Sequence, residues 1–479
     1  MRNSLLFLIS LLSWAGSAQA GSHTDINTWV QFETTTAAQF MMNNVSQPNT
    51  ARGSVIAAPS SEPNYYYHWI RDGAITMDAI VTLYQQVTDA NYKAQYLQAL
   101  TDYVSFSRQN QLTPNRSGGA DALGLGEPKF NLDGTAFQGD WGRPQNDGPA
   151  IRASTLIRFA MQLLSENDPS RASYVRQVLY DSALPSNSVI KNDLEYVAAH
   201  WQDPSFDLWE EVKGTHFFTR MVQRRALVDG ANLAEVLGDT QAANYYHSQV
   251  SAMESQIEQH WDSSKGSIVE TINQLSGIPK ASGLDSAIVL GALHGATDDR
   301  FMSVTDDRVF VTAEKMRQAF ATLYPINQRL TDWNGQPMGT SIGRYPEDTF
   351  NGGPSRDGGN PWFLATNAFA EFYYQCANLW QKDGIIPISD MNGPILASLP
   401  AYTGGSLQAG DVVTSSDARF APLIHALRDA GDRELWRVYY HSGTDGSMSE
   451  EFDRTNGYMT SAPNLTWSYA SLLTAVGAR

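Results

Sequence analysis

The stretch with the most chemical potential is Asp207-Leu208-Trp209-Glu210-Glu211-Val212, where two adjacent carboxylates follow a tryptophan and a third acid stands just upstream. Acid catalysis by a carboxyl group at neutral pH needs the proton kept on. An apolar indole beside a glutamate, with like charges close by, raises its pKa in that direction. Taken alone, the six residues favour a plainer reading, a pair of acids placed well near a helix N-terminus. Four other stretches with the same mixture of Trp, Tyr, Arg and acid change that reading.

The first is Tyr65-Tyr66-Tyr67-His68-Trp69-Ile70-Arg71-Asp72-Gly73, in which an Arg-Asp pair opens a helix beside aromatic rings. Asp accepting and Arg donating can hold adjacent hydroxyls of a sugar, or the pair can be a structural salt bridge. The second runs from Gly124 through Glu127, Lys129 and Phe130 to Gly139-Asp140-Trp141-Gly142-Arg143, where glycines flank a tryptophan as if to present it. The third is Gly343-Arg344-Tyr345-Pro346-Glu347-Asp348, leading to Asn360-Pro361-Trp362-Phe363. The fourth is Ser449-Glu450-Glu451-Phe452-Asp453, followed by Asn464-Leu465-Thr466-Trp467-Ser468-Tyr469. His68 lacks a His or Cys partner at ligand spacing, so it reads as structural and no metal is expected. No Gly-x-Ser-x-Gly elbow supports an acyl-transfer triad.

Composition narrows the substrate. Thirty-three basic and fifty acidic side chains give a net charge of −17, a poor match for phosphate backbones or anionic membranes. A neutral ligand fits better, and twelve Trp and twenty-one Tyr offer platforms for sugar faces. The opening of the chain reads as an export signal: Arg2, an apolar run from Leu5 to Leu12, and Ala18-Gln19-Ala20 as a cleavage site, so residues 1–20 are expected to be removed. An exported, periplasmic or secreted protein with Cys376 as its single cysteine must rely on a large core. Asn44, Asn115 and Asn464 sit in glycosylation patterns that a bacterial exporter would leave unused.

The elements that must position these residues are mostly helices. Spacings of i, i+3 and i+4 predict helices from Asp25 to Asn44, Ala74 to Gln86, Tyr92 to Arg108, Pro149 to Leu164 with Asp147 as a cap, Arg171 to Tyr180 and Ser188 to Trp201. Further on come Phe217 to Leu237, Gln241 to Trp261, Ser286 to Leu293, Ala313 to Leu323, Pro361 to Gln381, Phe420 to Asp429 and Ala462 to Ala475. Strand signals are confined to short pieces such as Arg308 to Val311. Long connectors at Ser117 to Trp141, Asp262 to Ser282, Leu330 to Asn360 and Gly384 to Ser415 are where function is expected. An all-α domain with its loops gathered at one end is the simplest organisation.

Five fragments together, YYYHWIRD, GEPKFN…WGRPQNDGPAIR, DLWEEV, RYPED…NPWF and SEEFD…LTWSYASLL, resemble the fungal-type glucoamylases of glycoside hydrolase family fifteen, in the family's order from Tyr65 to Leu473. The resemblance implies a single catalytic domain over residues 21–479, an (α/α)6 barrel of six outer and six inner helices, active as a monomer without metal or organic cofactor. It implies an exo-acting, inverting hydrolase that frees β-D-glucose from non-reducing ends of α-1,4-glucans and cuts α-1,6 links more slowly.

Residue by residue, Glu210 matches the general acid and Glu450 the general base that activates water. Inversion leaves room for that water, so the two carboxyl groups should stand roughly 6.5 to 9.5 Å apart. Arg71, Asp72 and Arg344 match groups that grip the terminal sugar. Tyr65, Trp69, Trp141 and Trp467 match aromatics around the cleaved bond, Leu208 and Trp209 match pocket positions, and Trp362 lies in the rim motif. Asp207, Glu211 and Asp348 match acids that tune the site or bind the second sugar. The loop Asn351 to Gly359 is longer than the family motif, and no starch-binding module follows Arg479, so soluble dextrins are the expected substrates. Enzymes on the same barrel that cleave isomalto-oligosaccharides, dextran ends or trehalose, and a binding protein without catalysis, are the competing readings.

Overall fold

The computed structural model describes residues 25–119, 122–353 and 357–479. The expected export signal and the middle of the 351–359 loop lie outside the described residues. Its helices, in chain order, are α1 (Ile26–Asn43), α2 (Ile70–Gln86), α3 (Ala90–Leu112), α4 (Asp147–Ser165), α5 (Pro169–Tyr174), α6 (Val189–His200) and α7 (Phe217–Leu237). They continue with α8 (Thr240–Ile257), α9 (Ser286–His294), α10 (Asp307–Leu323), α11 (Phe363–Asp383), α12 (Asn392–Ser398), α13 (Phe420–His441) and α14 (Thr466–Ala478).

Which helices touch defines the architecture. α2 packs on α4, α4 on α7, α7 on α9, α9 on α11, α11 on α14, and α14 returns to α2, closing a ring. Outside it, α3, α6, α8, α10, α13 and α1 pack against α2, α4, α7, α9, α11 and α14. This is the (α/α)6 toroid, with α1 at the start of the chain leaning on α14 at its end.

Sequence explains the two layers. The ring helix α9, Ser-Ala-Ile-Val-Leu-Gly-Ala-Leu-His, is buried on every side from Ser286 to Ala292, as a helix enclosed by others must be. The outer helix α10 buries only a stripe, including Val309, Phe310, Ala313, Met316 and Phe320. Gly230 lets α6 approach α7: a Cβ there would lie 2.6 Å from Leu194.

Some local expectations change. Arg308 to Val311 is helical, the first turns of α10, because Asp306 caps it through the Arg308 amide and the apolar stripe continues with helical spacing. Asp147 belongs to the first turn of α4; its carboxylate binds Arg71 at 2.7 Å, so it does not cap the helix. α13 runs on to His441, beyond Asp429. The connector from Asp262 to Ser282 contains an extended strand, Thr271–Gly277, which pairs with Val212–His216, itself paired with Ser205–Phe206. Asn44 has its amide buried against Asn464 and Thr466, so the folded chain leaves no room for a glycan there.

Candidate active site

Every ring helix begins at the same end of the toroid as one of the sequence motifs. Trp69 is the residue before α2, Asn146 before α4, Asp285 before α9, Trp362 before α11 and Leu465 before α14, and the Glu210 turn leads through one strand into α7. The positive ends of six helix dipoles therefore lie around this end, a favourable setting for carboxylates. Between them is a cavity of about 620 Å³, within the range of small-molecule sites.

Thirteen of the expected site residues line it. Tyr65, Trp69, Arg71 and Asp72 come from the first motif, and Trp141 from the second. Leu208, Trp209, Glu210 and Glu211 share one turn, Arg344 and Trp362 follow, and Glu450 and Trp467 complete the wall. Asp207 and Asp348 stand behind it. Asp348 grips Arg344 with two hydrogen bonds, 2.6 and 2.8 Å, so its contact is with the arginine and its place is not on the pocket surface.

Glu210 occupies a left-handed backbone conformation, φ +67°, that costs a non-glycine residue energy and persists only where the surroundings enforce it. Its Oε1 accepts from Trp69 Nε1 at 2.8 Å, Gln145 Nε2 at 3.0 Å and Arg71 Nη2 at 3.5 Å. No described residue bonds Oε2. The indole that meets Glu210 is thus Trp69, from a distant motif; its sequence neighbour Trp209 donates instead to Asp285 at 2.7 Å. Arg344 pairs with Glu211 at 3.0 Å, and Tyr345 donates to the other Glu211 oxygen at 2.6 Å.

Glu450, which lines the same pocket, is buried and held by the hydroxyls of Ser461 and Tyr65. A hairpin makes this possible: Glu451–Phe452 pairs with Met459–Thr460, and the Glu450 amide bonds Ala462, bringing Ser461 back across from it. Burial pushes the Glu450 carboxyl up to about 7, opposed by the hydroxyl donors and by Arg344. Glu451 is raised further, first by burial and then by the charge of Glu450. Asn360 donates to its Oε2 at 3.0 Å and its Oε1 has no partner, so of these two neighbours Glu451 is the better home for a proton. Asp72, half-buried beside Arg71, is pushed up to about 6 by desolvation, which outweighs the guanidinium.

Sequence reasoning missed three residues here. Lys129 has its ammonium among four rings, 3.3 Å from the centroid of Trp141, 4.1 Å from Phe137, 4.5 Å from Trp69 and 4.6 Å from Tyr67. Burial brings its pKa down to about 8. The antiparallel pairing of Trp69 with Lys129 sets this up, and the lysine in a glycine- and aromatic-rich loop was the available signal. Gln145 bridges Arg71 and Glu210, and Ser461 serves Glu450; a lone Gln or Ser gives no such sign. His68 is a core residue, its Nδ1 facing Val55 and its pKa lowered to about 3 by burial.

A closed helical toroid with several carboxylates, an Arg-Asp pair and aromatic side chains lining one pocket is the architecture of a glycoside hydrolase. Residues 34–477 match the family described as Glycosyl hydrolases family 15, and the chain belongs to that family. Among its relatives, a glucoamylase of Blastobotrys adeninivorans is 41% identical over 95% of this chain and 72% of its own length. Glucoamylase 1 of Rhizopus oryzae is 38% identical over 95% of this chain and 71% of its own. The solved glucoamylase from Saccharomycopsis fibuligera superposes with a TM-score of 0.84 at 32% identity, covering 96% of this chain and 98% of that one.

Proposed function

We propose that this protein is an exo-acting, inverting glucan hydrolase that takes single glucose units from the non-reducing ends of α-1,4-linked glucans. The membership in a family of glycosidases and the relatives named glucoamylase carry the activity; two glutamates, Glu210 and Glu450, lining one pocket support the mechanism. The ring helices share one buried apolar core, and exo action requires the pocket to be closed on that side so that it accepts a chain end. An acetal between neutral sugars needs protonation of its leaving oxygen and a base for water, and no more.

Glu210 is the general acid. Its Oε1 is saturated with donors, so the proton to be delivered belongs on Oε2, the oxygen free to face the glycosidic link. Glu450 is the general base: with Ser461 and Tyr65 fixing its carboxylate, it takes a proton from a water on the other face of the ring. Arg71 and Asp72, at the first turn of α2, and Arg344, backed by Asp348, hold the hydroxyls of the terminal glucose. Trp362 and Trp467 line the pocket with their rings, apolar faces for a sugar to pack on. Asp72 and Glu211 add negative potential where positive charge develops on the ring. The protein is exported and works as a monomer on α-glucans. Among the described residues no helix is long and apolar enough to cross a membrane.

Parallel assays on maltopentaose, isomaltose and trehalose test the substrate. Glucose as the first and sole small product of maltopentaose, with isomaltose slower, is the expected pattern. Preferential cleavage of isomaltose or trehalose would move the protein to another specificity on the same barrel.

A further inference from the structure

Beside the Glu210 turn lies a buried ion cluster whose members do not line the pocket. Lys280, on the connector between the Thr271–Gly277 strand and α9, places its ammonium 2.9 Å from Asp207 Oδ2 and 2.6 Å from Asp285 Oδ2. Both carboxylates are fully buried, and the lysine side chain is 6% exposed. The same ammonium lies 4.0 Å from the centroid of Tyr345. It therefore joins two of the motifs to the start of α9, and each partner has a second task. Asp207 Oδ1 accepts from the amides of Glu211 at 2.7 Å and Val212 at 2.9 Å, closing the turn that holds Glu210 at positive φ. Asp285 Oδ1 accepts from Trp209 Nε1 and from the Ala287 amide, tying the residue before Glu210 to the start of α9. Tyr345 donates to Glu211. The connector is itself pinned at Ser282, whose amide and hydroxyl bond Glu347 at 2.5 and 3.0 Å.

We infer that Lys280 is a positioning residue for Glu210, the cation that holds the acid-bearing turn in its strained conformation; the inference rests on the hydrolase reading above. A left-handed glutamate is kept only by an over-determined frame, and two of the frame's members are buried carboxylates that cannot both stay ionised without a cation between them. Asp207 is accordingly held down to about 2 although its burial works the other way, with Lys280 the main opposing influence. Glu270, also buried and with Oε2 unpartnered, adds a further acid on the same side, and His216 lies near Asp207. Without the ammonium the aspartates would share a proton at low pH and repel one another once it is lost. The turn would then open, and Glu210 would leave the reach of the glycosidic oxygen.

Lys280→Met tests this on the whole enzyme with maltopentaose. The expected result is kcat down by roughly 10²-fold, the loss that a misplacement of about 1 Å brings, with KM within about two-fold of the parent. The alkaline limb of kcat should also move to lower pH, since raising pH then ionises the second aspartate. The charge-balanced Lys280→Met/Asp285→Asn protein should recover about ten-fold of the loss. A crystal structure of Lys280→Met reads the turn without any substrate and should show residue 210 out of the left-handed region. If the variant fails to fold, the double variant answers the same question. Parent-level kcat in either folded variant, or an unchanged turn, overturns the inference; an inactive parent instead overturns the hydrolase reading, and the crystal structure still decides the role of Lys280.

Discussion

The two walls of the pocket use opposite means to prepare the same functional group. Glu210 sits at a strained turn, 16% exposed, and is gripped through one oxygen by an indole, an amide and, at longer range, a guanidinium. Glu450 is buried with its own backbone outside the left-handed region, although its partner Ser461 is at φ +64°, and it has hydroxyl donors and a second acid beside it. The first arrangement leaves one oxygen without a hydrogen bond from any described residue. The second keeps a charge where burial alone would remove it. In the proposed mechanism, what surrounds each glutamate makes one the acid and the other the base.

The contrast can be broken from either side. Glu210→Gln removes the proton that no neighbour can supply, and kcat on maltose should fall by roughly 10³ to 10⁴-fold with KM little changed. Glu450→Gln should cost about 10² to 10³-fold, since a bound water can still react slowly. Equal, small losses in both would mean that neither wall is the chemical one.

Smaller changes sharpen it. Lys129→Met removes the ammonium from the ring cage beside Trp69 and Trp141, and KM should rise about ten-fold, with kcat less affected. Ser461→Ala removes a donor that lowers the Glu450 pKa. A base must be ionised to act, so the acidic limb of kcat/KM should move to higher pH, by up to about one unit. A shift to lower pH would contradict the assignment of Glu450 as base.

A third glutamate, far from chemistry, completes the comparison. Glu33 on α1 is fully buried with neither oxygen hydrogen-bonded, and burial, aided by Asp445, pushes it up to about 8. A raised carboxyl supports the fold fully below its unfolded pKa, and that support is lost as pH climbs from there towards 8. Glu33→Gln should therefore raise Tm by roughly 2–4 °C at pH 8, change it little at pH 4, and leave kcat untouched. Thermal melts at the two pH values check this.

Much of this was legible in the chain. Ring helices such as α9 and α11 announce themselves by apolar runs, and the motifs fall in the loops that precede them because a toroid brings those loops together. Wrong or missing expectations share a cause: they depend on partners distant in sequence. Arg308 to Val311 looked like a strand because β-branched residues were read without the cap at Asp306. Asp147 looked like a cap until α2 delivered Arg71 to it. Trp209 looked like the environment of Glu210, yet the hairpin-like pairing of Trp69 with Lys129 supplies the indole. Gln145, Ser461 and Lys280 gain their roles only when the barrel closes.

Proton NMR of maltopentaose during the first minutes with the enzyme tests the central claim most directly. If Glu210 and Glu450 act as acid and base across an intervening water, β-glucose appears first and the substrate shortens one unit at a time. α-Glucose as the first product would mean a retaining reaction, and would contradict the role given to Glu450.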